Sequence, residues 1–172
     1  MNKPKLPEHL TPLPPELRTY QAAKQFSVAA GVIEKGTRIP DSMMFAVQPF
    51  ITCAAFSIEL YLKCMLLVEG ASNVHGHKLQ FLFSMLTQKS KDNILFYLRG
   101  AYANLELPCS FMSHGLTSID NAFVEWRYVH EKDYASINLE FLRKFAWACQ
   151  MHIRYLKPEW FGGNGDMPKI GS

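Results

Sequence analysis

The sequence has no CxxC pair among its four cysteines, Cys53, Cys64, Cys109 and Cys149. A zinc ribbon or finger of ordinary spacing is therefore excluded, and Cys53 and Cys64 lie too far apart on one helix to bridge each other. The expected state is four reduced, mostly buried thiols. There is no Walker-type loop, no Gly-rich dinucleotide loop and no Ser–His–Asp spacing motif, so neither a nucleotide cofactor nor a metal is implied. Gly162-Gly163-Asn164-Gly165 belongs to a tail, not to a phosphate cradle. No strand-like alternation of useful length and no fixed-period repeat occur. No apolar leader is expected either, since residues 1–15 have no apolar run and carry Pro4, Pro7, Pro12, Pro14 and Pro15. The longest charge-free stretch, Ser42–Ile58, contains Gln48, Pro49, Thr52 and Ser57. It falls short of the ~20 apolar residues of a membrane span and reads as core in a soluble, cytoplasmic protein.

What remains is a chain of 172 residues, 48% hydrophobic and 13% aromatic, enough for one domain with a sizeable core. The net charge of +3 is mild but unevenly spread. Residues 141–172 lean basic and residues 100–140 lean acidic, an asymmetry suited to steering a polyanion or orienting self-association. Periodicity places a first helix from Pro15 to about Lys35, with Ala22, Phe26, Ala29 and Ile33 as its apolar face. A second runs from about Ser42 to Glu69, kinked or broken at Pro49 and stopped by Gly70. A short helix begins near Lys78, and another spans Lys91–Asn104 with Ser90 as its cap. Pro108–Gly115 reads as a loop. Thr117 and Asp120 suggest a capping box opening a helix to Lys132, and the last helix is Ile137–Leu156. The expected architecture is all-α, an antiparallel bundle of about five to six helices. It occupies residues 16–157, between an extended arm (1–15) and a flexible tail (158–172).

The second helix is apolar nearly all round, as a helix buried on several sides must be. Ile51, Ala55, Ile58, Leu62 and Met65 share one side; only Thr52, Glu59 and Lys63 form a narrow polar arc. Glu59 and Lys63 stand four apart, acid before base. They read either as a local structural pair or as part of a polar site built with a neighbouring helix. Arg127 is the candidate neighbour, able to pair with Glu131 or to reach Glu59 across the bundle. His130 falls in the apolar arc of the same helix, as a packed histidine or as a general base. His75-Gly76-His77 reads as a helix-entry loop without the further ligands a metal needs. On the last helix, Arg143, Lys144, Trp147, Gln150 and Arg154 share the outer face. Arg143, Trp147 and Arg154 are the candidate nucleic-acid contacts, because guanidinium groups beside an exposed indole suit RNA stacking. The alternative is a solvated face with Trp147 in a protomer contact.

Three segments together resemble the HEPN superfamily of helical domains in its stand-alone bacterial form. They are Ala54-Ala55-Phe56-Ser57-Ile58-Glu59-Leu60-Tyr61-Leu62-Lys63, Gly76-His77-Lys78-Leu79-Gln80-Phe81-Leu82-Phe83, and Phe123-Val124-Glu125-Trp126-Arg127-Tyr128 followed by Glu131. The resemblance implies a self-associating bundle, a homodimer. Its members are RNases of toxin–antitoxin or defence systems, or non-catalytic modules binding RNA, nucleotides or partner proteins such as a nucleotidyltransferase. Their nuclease signature is an Arg followed, after four to six intervening residues, by a His. No Arg here has it, and His130 follows Arg127 after only two intervening residues. The expectation is therefore a non-catalytic module binding RNA, a nucleotide or a partner. The alternatives are a metal-independent endoribonuclease with a degenerate Arg127/His130 site, in which imidazole moves the 2′-hydroxyl proton and guanidinium stabilises the phosphate, and a purely structural dimerisation protein.

Overall fold

A computed structural model describes residues 12–36, 43–103, 106–128 and 137–161. Seven α-helices and no strand occur among the described residues: α1 Pro15–Gly36, α2 Met43–Val68, α3 Leu79–Met85, α4 Gln88–Ala101, α5 Cys109–Ile119, α6 Ala122–Arg127 and α7 Leu139–Leu156. The expected all-helical bundle is thus present. Its middle is α2, against which α1, α3, α6 and α7 all pack, while α4 lies on α7. Ile51, Ala55, Ile58, Tyr61, Leu62, Cys64 and Met65 of α2 have no exposed surface. The segment Val47–Val68 is long and apolar enough to cross a bilayer, and 61% of its most apolar window is buried by the rest of the chain.

Several expectations about the helices are corrected. Pro49 does not break α2, which runs through it without interruption. The buried stripe of α1 is Tyr20, Ala23 and Ala30, not the Phe26 face. Small side chains let α1 lie close on α2, and Phe26 is left at the edge, edge-to-face on Phe56 at 4.6 Å. The segment expected as a loop before Gly115 is helical, α5. Thr117 is inside α5 and caps nothing; its hydroxyl bonds the Ser113 carbonyl at 2.9 Å. Asp120 instead accepts the amide of Gln80 through Oδ1 at 2.6 Å, so it caps α3 from 40 residues away. The cap of α4 is Thr87, not Ser90.

Gly70 does end α2, as the spacing predicts. With φ +95° it sits where a left-handed residue closes a Schellman motif. The amide of Gly70 reaches the Leu67 carbonyl at 3.1 Å and that of Ala71 the Leu66 carbonyl at 3.0 Å. Beyond α7, Pro158–Phe161, which the sequence places in the tail, forms a 3-10 turn. Trp160 and Phe161 lie against Tyr20, with ring centroids 5.6 and 5.3 Å away.

Candidate functional site

Glu59 lies on the middle turn of α2 and is 1% exposed. A carboxylate so deep needs partners, because an unpaired buried charge is costly. The first is Lys63 one turn on, with Nζ 2.7 Å from Oε1. The second comes from the loop that follows α2. Gly76, at φ +97°, turns the chain back so that His77 Nδ1 stands 3.0 Å from the same oxygen. An ionised carboxylate only accepts, so Nδ1 carries the proton and Nε2 is left as the outward nitrogen. The His77 side chain is 63% exposed. Glu59 Oε2 is buried and has no hydrogen-bond partner among the described residues.

Aromatic rings form one border of this centre. Phe56 stacks on Phe123 of α6 with centroids 4.4 Å apart and planes 16° from parallel, and the His77 ring lies 6.4 Å from Phe123. The three sequence segments singled out above therefore meet in space, at Glu59, His77 and Phe123. Arg127 is the last residue of α6, the helix packed on α2; its side chain is not among those described. His130 and Glu131 lie outside the described residues. Thr52 is half-buried two turns before Glu59 and is not a member of the Glu59–Lys63–His77 cluster.

The three candidate contacts on α7 do not stay together. Arg143 and Trp147 line a groove between α1, α2 and α7. Arg154 lies three turns further on, its guanidinium 4.9 Å over the Phe161 ring. Lys144 sits 3.7 Å over the Tyr102 ring and is paired with Glu140 at 2.8 Å.

A second, partly buried polar cluster ties the end of α2 to α4 and α7. Glu69 accepts from the amide and hydroxyl of Thr87 at 3.0 and 2.7 Å and from the Ser90 hydroxyl at 2.5 Å. His152 Nε2 lies 2.8 Å from the same Ser90 oxygen. Since the Ser90 proton goes to Glu69, Nε2 must donate, leaving Nδ1 as an acceptor that is buried and unpartnered among the described residues. Burial pushes His152 down to about 4, outweighing the nearby Glu69 charge. Ser90 and His152 are 2% and 0% exposed. A serine whose proton is held by a carboxylate, beside a histidine that donates to it, has the wrong polarity for a nucleophile. This cluster is a latch between helices. The sequence signal for it was available, because His152 falls in the apolar arc of the last helix beside Cys149 and Ile153.

Among the described residues no three His, Cys, Asp or Glu side chains gather as a metal site. Cys64 and Cys149 are free and buried; burial pushes the Cys64 thiol up to about 12, and thiols so placed are inert. No family model, no curated protein and no solved structure matches the chain.

Proposed function

We propose that the chain is a HEPN-like, non-catalytic helical module that binds RNA or a nucleotide. The observation that carries this reading is the convergence of its three resembling segments on one centre. Glu59 fixes Lys63 and His77 from beneath, and Phe56 and Phe123 stand beside them. A half-buried ammonium suits phosphate oxygens, the outward Nε2 of His77 can accept from a ribose hydroxyl or a base N–H, and neighbouring rings suit bases. The module acts in the cytoplasm as a homodimer, in a toxin–antitoxin or defence setting with a nucleotidyltransferase-type partner.

The test is fluorescence anisotropy with a short single-stranded RNA, repeated across a salt series and in chelator. Affinity should fall linearly with log salt, as phosphate contacts require. His77→Ala should weaken binding several-fold while leaving the melting temperature within a few degrees, because its side chain is largely in solvent. The RNA should be recovered intact, since the Arg-to-His spacing of the nucleases is missing. Salt-independent binding, or binding indifferent to His77, would sink this assignment of the site.

A further inference from the structure

At about 100° per residue, Phe50, Ala54 and Ser57 lie on the side of α2 opposite Glu59 and Lys63. There α1, α2 and α7 leave a groove of about 190 Å³, lined by Ser27, Gly31, Glu34, Phe50, Trp147 and Gln150, with Arg143 at its edge. Trp147 is 41% exposed and steadied by an edge-to-face contact with Tyr97, at 6.3 Å and 87°. The groove carries a cation and an anion already matched. Arg143 Nε is 2.7 Å from Glu34 Oε1, and its guanidinium lies 5.1 Å over the Phe50 ring. A phosphate entering here would be repelled by the Glu34 carboxylate, whereas an uncharged ring would not. Gln150, whose side chain also bonds Tyr20, brings the remaining donor and acceptor capacity of its amide to the wall.

Gly31 points the same way. Glycine weakens a helix interior relative to alanine, yet Gly31 sits well inside the 22 residues of α1. A Cβ there would meet nothing within 4 Å. No internal neighbour requires the missing side chain; what it leaves bare is the α1 wall of the groove.

We infer that this groove is a binding site for one uncharged nucleobase-type ring, stacked on Trp147 with its polar edge toward Gln150. The choice of ring rests on the RNA- or nucleotide-binding reading, but the site is separate from the Glu59 centre. The ring belongs either to a free nucleoside or to one base of a strand, and the experiment separates the two. Titrate adenosine, guanosine, cytidine and uridine by calorimetry, and a single-stranded hexaribonucleotide by anisotropy. Use the wild type, Gly31→Leu, Trp147→Ala and Gln150→Leu, each checked for helical content and melting temperature.

Gly31→Leu fills the groove from a position with open space, so it should retain the fold and abolish binding. Trp147→Ala should weaken it about 10-fold, the scale of one base–aromatic stack, and Gln150→Leu should reorder the four bases. Nucleoside binding lost in Gly31→Leu supports the free ligand. Hexanucleotide binding alone, lost in Gly31→Leu, supports the base of a strand. If no nucleoside binds below about 1 mM and folded Gly31→Leu holds the hexanucleotide as wild type does, the groove proposal is overturned while the Glu59 reading stands. Nucleoside binding without any RNA binding does the reverse.

Discussion

Two buried polar residues show how one side chain commits distant parts of the chain. Glu59 was legible from the helical wheel, as a carboxylate on an otherwise apolar helix. Its partner His77 was not, because a loop's return path is set by the φ +97° turn at Gly76 and by packing, neither of which is periodic. His152 is the sharper case for measurement. It is neutral in the fold, with its proton affinity pushed down to about 4 from 6.5 by burial. The unfolded chain therefore binds a proton that the fold refuses between those values. Stability from this group is whole above pH 6.5 and declines as pH falls. Urea unfolding of the wild type and of His152→Gln should give a difference that changes by about 2 kcal/mol from pH 7 to pH 5, the wild type losing more. A pH-independent difference would mean that His152 is charged or exposed in the native state.

Helices α5 and α7 meet where one atom decides the outcome. Gly115 is inside α5, and a Cβ there would fall 2.1 Å from the Phe141 ring. Phe141 cannot move aside, being fully buried, stacked on Phe145 at 5.4 Å and edge-on to Phe111 at 5.9 Å. Helix propensity favours alanine over glycine by about 1 kcal/mol, but overpacking of a filled core costs about 1–3 kcal/mol. Gly115→Ala should therefore lower the urea midpoint. Gly31→Ala, with open space around its Cβ, should raise it. The same substitution with opposite signs in two helices separates packing from propensity, and equal signs would refute the close contact. The sequence reading of this region as a loop failed for a related reason. Gly115 suggests a break locally, whereas here it is the residue that lets two helices touch.

Across the whole molecule, α2 is screened by four other helices and α7 by α2, α4 and α5. Amides in such positions open only with global unfolding. Native-state hydrogen exchange should find residues 57–66 and 141–153 slowest, at one common free energy. The short helices α3 and α6, of 7 and 6 residues, should exchange by cheaper local opening. An α2 that exchanges as fast as α6 would contradict its central place.

The sequence by itself determined that the chain is helical, that its second helix is the central one and that Thr52, Glu59 and Lys63 form the polar stripe of that helix. Those properties follow from side-chain periodicity and the cost of exposing apolar surface, both local to a segment. Only the tertiary structure decided which groups meet. It brought His77 to Glu59, set Ser90 and His152 against Glu69, parted Arg154 from Arg143 and Trp147, and opened a groove over Gly31. Such encounters depend on loop paths and on how closely helices approach, and no single segment encodes either.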